Sequence, residues 1–233
     1  MTLSIIIPTL NESRFITGTL ESIANQEDVD VATLEVIVVD GGSEDNTVRL
    51  VEEFRDKNPM MKVCPLRSER GRAVQLNAGA KAAHGEIFLF LHGDTRLSPN
   101  ALSELLMQLG NSKEQFGYFS MKMDSDHPLA TIYGAATHIN SILLHFGDCG
   151  IFARKAFFFE TGLFPKLDLM EDVEFLMRAR AKSEPLLVKN AFVRTSARRF
   201  QKNGFLWQQL LNAGLVGLYI LGADTALLKK VYD

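Results

Sequence analysis

The chain is poor in cysteine. Its 233 residues include only Cys64 and Cys149, far apart and outside any metal-ligating spacing, so neither a disulfide framework nor a zinc cluster is expected. Both read as reduced thiols of a cytoplasmic protein. Basic charge is not in excess either: 25 Lys and Arg face 28 Asp and Glu, a net −3, which leaves no footprint for nucleic acid. No G-x-G-x-x-G follows the first apolar run, which counts against a dinucleotide site of the Rossmann kind. The N-terminus enters a strand-like run at once, with no basic stretch ahead of it, so no cleavable leader is expected. Repeats, low-complexity tracts and long linkers are missing too. With 46% hydrophobic and 23% charged residues, the composition is that of an ordinary globular core rather than a disordered chain.

Long apolar runs are also scarce. A membrane-spanning helix needs about 20 mostly apolar residues. The nearest approach is 203–223, which has no charged residue and repeats Trp207, Leu211, Leu215 and Leu218 at helical spacing. Gln208, Gln209 and Asn212 interrupt it, leaving only Ala213 to Ala223 as a continuous apolar core. That length suits a helix packed on the domain or on a second copy in a homodimer, or one lying in peripheral contact with a membrane surface. Lys229 and Lys230 fit either a helix C-terminus or a snorkelling pair.

What the chain does contain is two apolar runs that each end in a carboxylate. Ile87 to Leu91 does not alternate, as in a strand buried on both faces of a parallel sheet, and Asp94 follows just beyond its carboxyl end. Open α/β sheets bind ligands at that edge, and a carboxylate there holds a divalent cation against a phosphate. A turn or helix-capping aspartate is the plainer reading of one instance. The second instance is Leu34 to Asp40, followed by Gly41, Gly42 and a helix-starting Ser43. An acid ending the second strand of such a sheet commonly meets a nucleotide ribose, although a tight turn with Gly41 and Gly42 also accounts for it. The first strand, Leu3 to Pro8, leads into Thr9 and Glu12, whose spacing is that of a capping box and predicts a helix from about Ser13 to Ala24. This strand–helix rhythm predicts right-handed βαβ crossovers, a three-layer α/β/α sandwich with a mostly parallel sheet, and a mononucleotide site where Asp40 and Asp94 end neighbouring strands.

Further polar groups follow the same rhythm. Arg70 and Arg72 open a helix that runs through Gln75 and Asn77, a position suited to phosphate oxygens. Gly147-Asp148-Cys149-Gly150 reads as a tight turn before a strand, and Glu171-Asp172 as the start of a helix reaching Ala181. Arg198 and Arg199 fall on a loop before a helix.

In order and spacing these pieces resemble the family 2 glycosyltransferases of GT-A fold. The residues that carry the likeness are Ser4 to Thr9 with Asn11-Glu12, Val38 to Ser43 with Asp45 and Thr47, Arg70-Gly71-Arg72, and Gln75 to Gly79. They continue with Leu91 to Thr95, Gly147 to Gly150, Glu171-Asp172 and Arg198-Arg199-Phe200. The likeness is greatest to small bacterial members with a His-x-Asp-Thr segment, here His92 to Thr95, and it covers nearly the whole chain. It implies one GT-A domain over 1–233, with a nucleotide-binding half at 1–95, an acceptor half at 96–200 and a C-terminal helical segment at 201–233.

The resemblance also implies chemistry. It makes the chain an inverting, metal-assisted glycosyltransferase that takes a UDP- or GDP-sugar and a hydroxyl acceptor. Asp40 and Gly41 then face the nucleotide base, and Pro8, Thr9 and Glu12 line its pocket. Arg70, Arg72, Asn77, Asp148, Arg198 and Arg199 bind the donor, with the late arginines closing over the diphosphate. Asp94 holds Mg²⁺ or Mn²⁺, although His92 and Gly93 stand where this family often has further acids. Asp172, or failing it Glu171, is the general base that takes the acceptor proton. Two other readings stay open: a polyprenyl-phosphate sugar transferase at the inner membrane face, needing no base, and a catalytically silent nucleotide-sugar binding module.

Overall fold

Runs that bury every side chain build the centre of the sheet. The computed structural model describes residues 1–139 and 147–232. In chain order its elements are β1 (Leu3–Thr9), α1 (Ile16–Ala24), β2 (Leu34–Asp40), α2 (Thr47–Lys57), β3 (Lys62–Arg67), α3 (Arg72–Ala82), β4 (Ile87–Phe90), β5 (Thr95–Leu97) and α4 (Ala101–Gly110). There follow β6 (Phe116–Asp124), α5 (Pro128–Ala136), β7 (Ile151–Arg154), α6 (Lys155–Thr161), α7 (Glu171–Arg180), β8 (Leu186–Ser196), α8 (Arg198–Asn203), α9 (Phe205–Ile220) and α10 (Thr225–Tyr232). Every residue of β2 and β4 is buried, as strands covered on both faces must be, which is why neither sequence alternates.

The strand order is β3-β2-β1-β4-β7-β6-β8-β5. The first four are parallel, β7 reverses against β4, and β6 runs parallel to β8 between antiparallel neighbours. Thr9 pairs with Asp40 and Ile6 with Phe90, so β1, β2 and β4 all end at one edge of the sheet. Asp40 and Asp94 therefore share that edge, but β1 lies between their strands: they are not on neighbouring strands as the sequence predicts. Beneath the edge a cluster of rings ties α6 and α7 to the sheet. Phe90 meets Phe164 edge-on at 4.9 Å between centroids, and Phe158 meets Phe175 at 5.3 Å. Each such ring stabilises the packing by about 1.5–3 kcal/mol through burial alone.

Three local expectations are corrected. The Thr9–Glu12 capping box does not form, and α1 starts at Ile16 rather than Ser13. Thr9 is the last residue of β1, where its hydroxyl donates to Val39 O at 3.4 Å, while the Glu12 carboxylate is taken by Arg198. α2 starts at Thr47, not Ser43: Asp45 Oδ1 accepts from Thr47 N at 2.9 Å, whereas Ser43 Oγ donates back to Asp40. Arg198 and Arg199 are not on a loop but form the first turn of α8.

Candidate active site

The ends of β1 and β4 open into a cavity of about 730 Å³. One wall is Pro8, Thr9 and Glu12 with Asp94; another is Arg70 and Arg72 with Glu171 and Asp172; Arg198 and Arg199 lie across them. Asp148 also faces this space. The sequence thus places most of its candidates in one cleft, from six separate stretches of chain.

Arg72 is the hub of one half. It opens α3, and its Nε lies 3.2 Å from Glu171 Oε1 while a terminal nitrogen lies 3.6 Å from Asp172 Oδ2. It also donates to His92 Nε2. Desolvation, and then the charges of Arg72 and Arg198, push the imidazole well below its usual range, so His92 is neutral and accepts from Arg72. Asp172 is held from two sides: Gly147 N donates to Oδ2 at 2.6 Å and Val173 N to Oδ1 at 2.8 Å. The turn at Gly147 has no room for a side chain. A Cβ there would lie 2.1 Å from the Arg72 guanidinium and 2.9 Å from Asp172 Oδ2. Burial raises the Glu171 carboxyl against the opposing charge of Arg72. Desolvation, and then the Asp172 charge, push Asp148 up to about 6. Met170, just before α7, has φ of 71°, a left-handed backbone that costs a non-glycine residue about 1 kcal/mol or more and sets the direction in which this helix enters the cleft.

Arg198 is the hub of the other half. Its two terminal nitrogens donate to Glu12 Oε2 and Oε1 at 3.0 and 2.7 Å, a forked pair, and one lies 3.3 Å from Asp94 Oδ2. Burial raises both carboxyls, partly offset by Arg198. The guanidinium is thus a cation shared by Glu12 and Asp94. Arg199 lies 4.2 Å from the centroid of the Tyr232 ring and ties α8 to α10.

Among the described residues no three His, Cys, Asp or Glu side chains gather as a metal site. The donors present fit a cation of another kind. Hard cations such as Mg²⁺ and Mn²⁺ keep water and substrate phosphates as ligands and need only one or two protein carboxylates. Asp94, with Glu12 on the same guanidinium, supplies that type of oxygen.

Three candidates do not line the cavity: Asp40, Gly41 and Asn77. Asp40 Oδ2 accepts from Gly42 N and Ser43 N, both at 2.9 Å, and Oδ1 from Ser43 Oγ, so the carboxylate closes its own turn. Gly41 packs under Gln75, 2.9 Å from where a Cβ would sit. Asn77 is used up structurally, donating to Phe164 O at 2.7 Å and accepting from Phe164 N at 3.1 Å.

Other residues of the cleft are named in the sequence only for their helices, not as site candidates. Gln75 Nε2 donates to Thr9 O and Val39 O, both at 2.8 Å, and so clamps the ends of β1 and β2. The far wall comes from α9 and α10: Asn212, Leu215, Val216, Lys229 and Tyr232. The spacing 212, 215, 216 is one helical face, a signal present in the sequence but without a partner to give it direction.

A carboxylate at the carboxyl edge of the parallel strands, arginines on a helix start and a second carboxylate pair across the cleft make this a polar cleft at the sheet edge of an α/β protein. Residues 4–131 match the model of the family described as Glycosyl transferase family 2. The chain belongs to that family. It is 36% identical over 105 residues to the poly(ribitol-phosphate) β-N-acetylglucosaminyltransferase TarS of Staphylococcus aureus (strain Mu50 / ATCC 700699), covering 45% of this chain and 18% of that protein. It is 27% identical over 135 residues to a dolichol-phosphate mannosyltransferase of Mycosarcoma maydis, covering 54% and 46%. The chain therefore spans less than half the length of these relatives. Among solved structures it is similar to S. aureus TarS 1-349 in complex with UDP, with TM-score 0.70 at 22% identity, covering 96% of this chain and 67% of that one. It is also similar to the mannosyltransferase PcManGT from Pyrobaculum calidifontis in complex with GDP-Man and Mn2+, with TM-score 0.68 at 20% identity, covering 98% and 67%. These likenesses establish the GT-A fold.

Proposed function

We propose that the chain transfers a sugar, with inversion, from a UDP- or GDP-sugar to an acceptor hydroxyl, assisted by Mg²⁺ or Mn²⁺. The observation that carries this reading is the convergence of Asp94, Arg72, Arg198 and the Glu171–Asp172 pair on one cavity. The relatives named above as N-acetylglucosaminyl- and mannosyltransferases, and the structures with UDP and GDP-Man, support a nucleotide-sugar donor.

In this reading the acceptor oxygen attacks the anomeric carbon as the bond to the diphosphate breaks, and Asp172 takes the hydroxyl proton. Each carboxylate oxygen has two lone-pair sites, so the bonds from Gly147 and Val173 fix Asp172 while leaving it acceptor capacity. Arg70 and Arg72 at the α3 start bind the departing diphosphate, joined by Arg199. Arg198 leaves Glu12 and Asp94 for the diphosphate oxygens, which frees both carboxylates. Asp94 would hold a divalent cation, which would supply Lewis-acid neutralisation of the leaving group, worth several kcal/mol. Thr9, Pro8 and Glu12 border the nucleotide, and Asp40 acts on it through the Gly41–Ser43 turn it closes.

A polyprenyl-phosphate acceptor is the second reading. Leu169, Met170, Leu215 and Val216, which pack together, give the cavity an apolar side.

A thermal-stability screen of nucleotide-sugars with and without Mn²⁺ tests the donor. A ligand at a hundredfold excess over its Kd adds about 2.7 kcal/mol, about 5–11 °C in Tm for a chain of this size. At least one UDP- or GDP-sugar is expected to reach that range with Mn²⁺. No shift from any of them contradicts the reading.

A further inference from the structure

Helix α9 carries its apolar residues on the wrong side. A helix packed on a soluble domain turns its charged residues outward. Here Leu215 and Val216 face inward, and the outward positions are Leu206, Trp207, Leu210 and Leu218, each at least half exposed. Leu221, just beyond, is 85% exposed. No Asp, Glu, Lys or Arg occurs from 203 to 223.

Two neighbours extend this face. α10 adds exposed Leu227 and Val231. α5 packs beside α9, with the His127 and Phe205 rings stacked at 4.3 Å, and exposes Leu129 and Ile132. Three adjoining helices thus present large apolar side chains that nothing covers among the described residues. Monomers rarely expose a contiguous apolar patch of this kind without a partner.

Charge chooses the partner. Arg198, Arg199 and Lys229 line the cavity, Arg198 against Glu12 and Asp94 and Lys229 3.6 Å from Asp168. The charges of 198–232 that lie away from the cleft are therefore Lys202 and Lys230 against Asp224, a net +1 in a chain whose total is −3. Lys202 and Lys230 are exposed. A second copy docking by a two-fold axis would bring the same lysines to both sides of the seam. An anionic bilayer is complementary to the charge and takes up the apolar side chains as well. Trp207, 64% exposed, is a residue type favoured at the water–lipid boundary. No helix among the described residues is long and apolar enough to cross a membrane, so contact is from one side.

We propose that the outward face of α9, α10 and α5 is a docking surface for an anionic lipid bilayer. Leu215 and Val216 of the same α9 line the cavity, so docking brings the cleft next to the lipid surface. The proposal does not depend on the chemistry assigned to the cleft.

Trp207 is the only tryptophan, so its fluorescence reports the surface directly. The full chain is mixed with vesicles of equimolar phosphatidylglycerol and phosphatidylcholine, or of phosphatidylcholine alone, and then sedimented. With the anionic vesicles Trp207 emission is expected to shift to shorter wavelength and the protein to pellet, with at least about tenfold weaker binding to the neutral ones. The double variant Leu206→Glu with Leu210→Glu changes exposed positions only. It is expected to lose at least about tenfold in vesicle binding while keeping the wild-type unfolding temperature and nucleotide stabilisation. Lys202→Gln with Lys230→Gln is expected to narrow the preference for anionic vesicles. Unmoved emission with all protein in the supernatant overturns the proposal, as does equal binding to both vesicle types. A wild-type dimer in sedimentation velocity that Leu206→Glu with Leu210→Glu dissociates also overturns it, assigning the face to a second copy.

Discussion

Replacing Asp172 by Asn tests the proposed base, and the structure gives the change two separable effects. Both oxygens of Asp172 accept a backbone hydrogen bond, from Gly147 N at 2.6 Å and from Val173 N at 2.8 Å. An amide has one acceptor oxygen, so in either flip its NH₂ faces one of these N–H groups. A buried donor left without a partner costs about 1–3 kcal/mol. At about 2–4 °C per kcal/mol for a chain of this length, Tm should fall by about 2–12 °C. The chemical effect is larger: loss of a positioned base lowers transfer to a hydroxyl by about 10²–10⁴-fold. Nucleotide affinity measured by calorimetry, well below the unfolding transition, should stay at the wild-type value. Glu171→Gln is the internal comparison. Its carboxylate pairs with Arg72 at 3.2 Å, so the variant should lose stability but less activity than Asp172→Asn. An Asp172→Asn protein that loses stability yet transfers at the wild-type rate, with chemistry rate-limiting, refutes the base assignment. It would reduce Asp172 to an anchor for the Gly147 turn and bring the phosphate-acceptor reading forward.

Two further outcomes follow from the same half of the cleft. Gly147→Ala drives a Cβ to 2.1 Å from the Arg72 guanidinium, so it should cost about 1–3 kcal/mol in overpacking and weaken nucleotide binding by displacing Arg72; wild-type Tm and affinity contradict this. Asp148, pushed up to about 6, has a folded pKa above its unfolded value of about 3.9. Its stabilising contribution is fully present below about pH 4 and is lost as pH rises through about 6. Asp148→Asn should therefore flatten urea-derived stability across that window and raise it by about 1–3 kcal/mol above it. A pH profile unchanged from wild type contradicts the assignment.

Much of the frame was legible in the sequence because burial on both faces leaves an unmistakable pattern. β2 and β4 read as unbroken apolar runs, and the position of Asp94 beyond the sheet follows from them. The start of α7 with its acids was legible for a local reason, since carboxylates favour a first helical turn. What was not legible depends on partners remote in the chain. Thr9 and Glu12 have capping-box spacing, but Glu12 is claimed by Arg198, 186 residues away. Asn77 sits in a helix pointing toward the cleft, yet Phe164, 87 residues on, takes both ends of its amide. Asp40 lies at the expected strand end, and its own turn supplies enough donors to occupy both oxygens. The far wall of α9 and α10 shows the same limit. Helical spacing says which residues share a face, and only the fold says what that face meets.

The central claim is that Asp94 holds a cation against a nucleoside diphosphate, in the place where Arg198 now bridges Asp94 and Glu12. Isothermal titration of UDP and GDP into wild type and Asp94→Ala, each with and without Mn²⁺, tests it most directly. In wild type Mn²⁺ should tighten binding of at least one nucleotide, and in Asp94→Ala that gain should vanish while the metal-free affinity persists. The same Mn²⁺ gain in both proteins would contradict the account.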